Sequence, residues 1–292
     1  MIVVRLLGGL GNQMFQYAAG RRAAVVNRWP LKLDVSGFQE GSPRAYGLDA
    51  LKVEGGFASP AEVRAITGPP HGLGKRLHRI RRRFKIGYRW TWIHEDRLSM
   101  VDPKIIAAPS YSYFDGYWQS EKYFADIADT IRDDFRIESW VDPRAETIAG
   151  QIAGLESVSL HVRRGDYVTD LRTNQAHGTC GLGYYRESAR QIALKVSRPH
   201  FFLFSDDPAW VAANLRLDHP MTMVSQQLSG SQYDDLRLMS LCRHHIIANS
   251  SFSWWGAWLN PRPDKVVLAP RRWGNDPSWD DRDLLPASWI RV

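Results

Sequence analysis

Five short apolar runs, at residues 158–162, 200–204, 221–224, 245–248 and 265–269, alternate with stretches whose apolar residues recur at helical spacing. The helical stretches fall around 184–196, 209–215, 233–242 and 253–259, and in the third Leu236, Met239 and Leu241 are expected on or near the core. Strands that always return through a helix must lie parallel, so this half is expected to form a Rossmann-type sheet. With 292 residues there is room for a second domain before it. The expected division is 1–150 and 151–292.

Three of these runs end in polar signatures: Arg163-Arg164-Gly165-Asp166, Ser205-Asp206-Asp207 and Asn249-Ser250-Ser251. In a parallel sheet all three fall on the carboxyl edge, where open α/β folds bind ligands. Arginine carries a rigid fork of donors that matches phosphate oxygens in pairs. Ser250 and Ser251, at the start of a helix, offer hydroxyls and backbone N–H groups to the same anion. Asp206 or Asp207 could accept the ring N–H and amine of guanine. The pair also suits Mg²⁺, the less favoured reading, because the arginines already answer the charge of a diphosphate. A plain surface Arg–Asp pair is the alternative to an anion grip. His244 and His245 are strand neighbours that face opposite ways, and there is no G-x-S-x-G elbow. Trp254, Trp255 and Trp258 offer either a sugar platform or core packing.

The first half is less regular. The run 2–7 reads as a strand, and Gly8-Gly-Leu-Gly-Asn-Gln13 as a tight turn into a helix that Asn12 could cap. Met14 stands where the third glycine of a dinucleotide fingerprint would be. Strands are also expected at 31–34, around Tyr88, Trp90 and Trp92, and at 111–118, with a helix over 123–135. Residues 75–85 hold eight Lys, Arg and His side chains, with Leu77, Ile80 and Phe84 on one helical face. That pattern suits an anionic membrane surface, a nucleic-acid patch, or a merely solvated helix. The net charge of +7 favours an anionic partner. Two cysteines without a CxxC make a disulfide framework or zinc site improbable. With no basic leader or membrane-length run, a cytoplasmic enzyme is expected.

Four segments in order resemble the bacterial α-1,2-fucosyltransferases of glycosyltransferase family 11. They are Gly8-Gly-Leu-Gly-Asn-Gln-Met-Phe-Gln-Tyr-Ala18, His161-Val-Arg-Arg-Gly-Asp-Tyr167, Phe204-Ser-Asp-Asp207 and the stretch from Leu241 to Asn260. Gly116-Tyr-Trp-Gln-Ser-Glu-Lys-Tyr-Phe124 also fits. The resemblance implies an α/β fold of GT-B type, two Rossmann-like domains facing across a cleft, the first on the acceptor side and the second binding the donor. It implies transfer with inversion from GDP-β-L-fucose to the 2-hydroxyl of a galactose-terminated glycan, of surface-polysaccharide or O-antigen type, without a cofactor or catalytic metal. Arg163 and Asp166 would be catalytic, Asp166 as base or as a guide for the arginines. Asn12, His161, Arg163, Arg164, Asp206, Asp207, Asn249, Ser250, Ser251 and Phe252 would bind the donor, Asn12 from across the cleft. The expected setting is cytoplasmic, peripheral on the inner membrane through residues 75–85, with no nucleic-acid partner. The rival readings are another GDP-sugar transferase of the same fold, such as a protein O-fucosyltransferase, and a non-catalytic RNA-binding protein.

Overall fold

A computed structural model describes the chain except residues 39–41, 43, 69–71, 85–89, 97–98, 229 and 277–279. The chain forms two compact units, Met1–Arg136 with Arg282–Leu284, and Ile137–Asp281 with Leu285–Val292. The division thus comes before residue 150, and the helix Arg144–Gly154 lies wholly in the second unit. The cause is local. Both carboxylate oxygens of Asp234 accept backbone N–H groups, from Val141 at 2.9 Å and Asp142 at 2.8 Å, tying that stretch to the second unit. Sequence reading also missed the return of the chain to the first unit. There Asp283 accepts from Val101 N at 3.0 Å and from Lys122 Nζ at 2.6 Å.

The first unit carries five parallel strands, β1 (Ile2–Arg5), β2 (Leu31–Asp34), β3 (Gly56–Phe57), β4 (Thr91–His94) and β5 (Ser112–Asp115), in the order β3-β2-β1-β5-β4. The strand expected around Tyr88, Trp90 and Trp92 begins only at Thr91, so Trp90 precedes it and Trp92 lies in it, opposite Tyr113 of β5; Tyr88 lies outside the described residues. Residues 121–127 form two 3-10 turns, and the following helix covers only Ala128–Asp134 of the expected stretch.

The turn after β1 holds the helix Leu10–Asn27 against the sheet. Gly9 is its N-cap, so Asn12 sits inside the first turn and caps nothing. The turn is fastened by glutamines instead: Gln13 Nε2 donates to the Gly8 and Ala45 carbonyls, and Gln16 Oε1 accepts from Leu7 N, each at 2.9 Å. Gly8 has φ +80°, and a Cβ there would lie 2.7 Å from the Asn12 side chain.

The second unit contains β6 (Ser157–Val162), β7 (His200–Ser205), β8 (Met221–Met223), β9 (His244–Ile246), β10 (Val267–Ala269) and β11 (Ile290–Arg291), all parallel, in the order β11-β10-β9-β6-β7-β8. The alternation of apolar runs and helical stretches therefore led to the right sheet, apart from β11. On one face of β6, Val158, Leu160 and Val162 join Tyr185, Ile192 and Phe201 in the core. Leu241 is half exposed, and Leu238 takes the core place expected of it. Trp254, Trp255 and Trp258 are all buried, which removes them as a sugar platform.

Close packing of the first helix on β1 yields a stability prediction. A Cβ on Gly20 would come within 2.1 Å of Val4 Cγ2. Overpacking costs about 1–3 kcal/mol, more than the gain of up to about 1 kcal/mol from replacing a helical glycine. Gly20→Ala should lower the urea midpoint with an unchanged m-value; a raised midpoint would show that Val4 yields freely.

Candidate functional site

The strand order β9-β6-β7 puts the three polar turns side by side. After β6 the chain first adds β7 and β8 on one flank, then crosses to β9, β10 and β11 on the other. The carboxyl ends of β6 and β9 therefore form the switch point where such sheets open for a ligand.

Arg163 leaves β6 at this point, and its guanidinium is held from both sides. Nη2 bonds Asp166 Oδ1, and Nη1 pairs with Asp206 Oδ2 at 2.7 Å. The Tyr167 ring lies 5.2 Å from the guanidinium carbon. Arg164 is used differently. Its backbone N–H donates to Asp206 Oδ1 at 2.8 Å, its Nε to Asp207 Oδ2 at 3.0 Å, and its guanidinium stacks 3.7 Å above Trp210. Asp207 also caps the helix Pro208–Asn214 through Trp210 N. Asp206 and Asp207 are thus committed to the two arginines and to local backbone, which leaves them poorly placed to read a guanine.

On the other side of the switch point, Ser250 precedes the helix Ser251–Leu259 and makes no side-chain capping bond. The first turn of that helix is an uncapped, positive helix end, as a phosphate site needs. Asn249 is structural, because its amide donates to the carbonyls of His177, Gly178 and Trp273 at 2.9, 3.3 and 3.2 Å. Its backbone carbonyl accepts from Tyr167 Oη at 3.2 Å, joining the exits of β6 and β9. Asn12 belongs to the other unit, where Oδ1 accepts from Gln119 Nε2 at 2.9 Å.

His161 is buried near the end of β6, with its ring 5.8 Å from that of Phe252. Nδ1 has no hydrogen-bond partner. Burial, aided by the Arg163 charge, pulls its pKa down to about 3, so the imidazole is neutral at any working pH. Sequence reading missed one residue of the same kind, Asp235, in the first turn of the helix Gln232–Leu241 beyond the end of β8. Its Oδ1 is buried without a partner. Burial first, then the neighbouring Asp234, raises its pKa to about 7. The doubled acid of Tyr233-Asp-Asp-Leu236 was visible in sequence, but not that one member is consumed by Val141 and Asp142 and the other left free.

No three His, Cys, Asp or Glu side chains among the described residues stand together as metal ligands. Arginine–carboxylate pairs and an uncapped helix end stand at the carboxyl ends of adjoining strands, a set of donors suited to an anion.

Residues 86–292 match the model of glycosyl transferase family 11. The chain belongs to glycosyltransferase family 11. This glycosyltransferase is 32% identical over its full length to the Escherichia coli α-1,2-colitosyltransferase, 99% of which is covered. It is 41% identical, over 47% of its own chain and 44% of the relative, to the Escherichia coli O-antigen biosynthesis glycosyltransferase WbnK. Mammalian relatives include the mouse galactoside 2-α-L-fucosyltransferase Sec1, at 28% identity over 57% of this chain and 47% of that protein. Among solved structures it is similar to Arabidopsis thaliana FUT1 bound to GDP, with a TM-score of 0.52 over 93% of this chain and 71% of that one, at 12% identity. The fold is of GT-B type, with two Rossmann-like units.

The buried, unpartnered Asp235 predicts a pH-dependent change in stability. Its folded pKa lies above its unfolded value, so folding tolerates the protonated acid and is penalised as the carboxylate forms. Asp235→Asn should therefore stabilise the protein at pH 8 by about 1–3 kcal/mol. The gain should shrink from about pH 7 downwards and vanish near pH 4, where the acid is protonated in both states. Urea titrations across this range read it directly; a loss of stability at pH 8 would mean that the carboxylate has a partner.

Proposed function

We propose that this family 11 enzyme transfers L-fucose from GDP-β-L-fucose to the 2-hydroxyl of a terminal β-galactoside, with inversion to the α-linkage. The observation that carries this reading is the Arg163 fork, fixed by Asp166 and Asp206 beside the uncapped helix end at Ser251. Such an arrangement favours the departure of a diphosphate. As the sugar–phosphate bond breaks, negative charge gathers on the GDP oxygens and positive character on the sugar ring. A guanidinium already in place stabilises that charge more than it stabilises the bound donor. Ser250, Ser251 and the first N–H groups of the helix take the remaining phosphate oxygens. Asp235 meets the guanine edge as a carboxyl, accepting a ring N–H or amine and, when protonated, donating to the ring carbonyl, in the role first expected of Asp206 or Asp207. His161 supplies a neutral ring nitrogen beside Phe252.

Asp166 has two roles in this scheme. It holds one prong of Arg163, and it is our candidate to receive the proton of the acceptor hydroxyl. The directed donors of Arg163 and the helix end serve where other transferases place a cation, and the reading therefore assigns no metal or cofactor.

The full-length similarity to a colitosyltransferase favours a second donor, GDP-colitose. One assay separates the two readings: the protein is incubated with either sugar nucleotide and a panel of β-galactosides, with and without EDTA. A fucosylated β-galactoside formed equally in EDTA is expected. Product from GDP-colitose alone would move the assignment to that donor, and loss of turnover restored by Mg²⁺ or Mn²⁺ would refute metal independence.

Arg163→Lys keeps the charge but loses the fork that serves two carboxylates and the donor together. It should lower kcat by roughly 10²–10³. Arg164→Lys should act mainly on stability, since that side chain stacks on Trp210 and pairs with Asp207. Full activity in Arg163→Lys would show that the wrong arginine had been chosen.

A further inference from the structure

The helix Gly72–Phe84 takes no part in the site just described and belongs to the first unit. None of its described residues is buried. Leu73, Leu77, Ile80 and Phe84 are 72, 51, 49 and 66% exposed. At 100° per residue these four fall within an arc of about 60°, one continuous apolar stripe along the helix. Arg81 borders the stripe on one side, with Arg76 and Arg83 on the other. The helix contains no acidic residue. A thirteen-residue helix with two glycines in its first turn is marginal in water on its own. Its stability calls for a surface that covers the stripe.

We infer that this helix lies on an anionic lipid bilayer, with Leu73, Leu77, Ile80 and Phe84 in the acyl boundary and the flanking arginines at the headgroups. Arginines on both borders can extend their stems along the stripe and still reach phosphates, the geometry of a helix lying flat at an interface. The stripe also separates this partner from a nucleic acid. A phosphate backbone would satisfy the cations but leave four large apolar side chains in water. A second copy of this chain would bring the same cations against their like, which charge opposes. No described helix is long and apolar enough to cross a membrane, so the contact is one of surface adsorption. The inference does not depend on which sugar nucleotide the enzyme uses.

The test is flotation of the full chain with vesicles of phosphatidylcholine alone or with about one third phosphatidylglycerol, whose negative surface attracts basic helices. The wild type should float with the anionic vesicles, and less so as salt rises. Replacing Arg76, Arg81 and Arg83 together by glutamine should weaken binding roughly 10²-fold. Leu77→Ser with Ile80→Ser keeps every charge and should still weaken it roughly tenfold or more. All these side chains are exposed, so both variants should keep the wild-type circular dichroism and GDP affinity, which separates a failure here from a failure of the donor reading. Equal binding to neutral and anionic vesicles would overturn the inference. So would undiminished binding by the serine variant, because adsorption would then be charge alone. A stripe that instead holds a second copy would show as a sedimentation mass that falls in the serine variant while vesicle binding stays absent.

Discussion

An arginine at the end of a strand has a long, rotatable side chain and, left alone, would sample solvent. Here Asp166 takes one terminal nitrogen of Arg163 and Asp206 the other. Asp206 also accepts the Arg164 backbone N–H, so one carboxylate joins the exits of β6 and β7. The approach is close: a Cβ on Gly165 would lie 2.4 Å from Asp206 Oδ2, so glycine is required there for space. Tyr167 lies against the Arg163 guanidinium and donates to the Asn249 carbonyl, bringing in the exit of β9. One guanidinium and its partners thus fix three strand ends together. A group immobilised before the donor arrives costs less order when it binds.

The same cluster changes the electrostatic account. Around the two arginines stand three carboxylates, Asp166, Asp206 and Asp207, so the cluster carries no excess of positive charge. On the proposed function, a diphosphate is drawn by the direction of donors more than by local charge. Guanidinium suits this role because it has five N–H donors in one plane. Two can remain on the carboxylates while others turn to phosphate, which the three mobile donors of an ammonium group do less well. The helix end at Ser251 adds a fixed dipole. The +7 charge of the whole chain acts only at long range, on the rate of encounter.

The order of elements in the second unit was legible because a buried parallel strand is a bare apolar run, and its turn shows as a break in that run. Residues 158–162 and 200–204 stood out for this reason. β3 and β11 were missed because each is only two residues long. The juxtaposition of Arg163, Asp206 and Ser250 was also legible, since it follows from sheet polarity alone. What a side chain does once there was not. Asn249 spends its amide on loop carbonyls brought from residues 177, 178 and 273, partners too far off in sequence to foresee. The boundary between the two units lies at 136 rather than 150 for a similar reason. Val141-Asp-Pro143 gives no sign in sequence of its tie to Asp234, about ninety residues later, which takes the N–H groups of Val141 and Asp142.

In the proposed function His161 and Asp235 add the last element of the site. Burial drives the histidine towards its uncharged form and the carboxyl towards its protonated form, two shifts of opposite sign with one cause. Each also keeps a buried polar atom without a partner, which native interiors seldom tolerate. Groups that have shed charge and kept hydrogen-bonding capacity are matched to a neutral ring with its own donors and acceptors. They would be poor partners for a phosphate, which needs charge or aligned N–H groups. The carboxyl edge of this one sheet therefore divides its work. In the proposed function Arg163 and the helix end face the anion, while the buried pair serves the uncharged part of the same ligand.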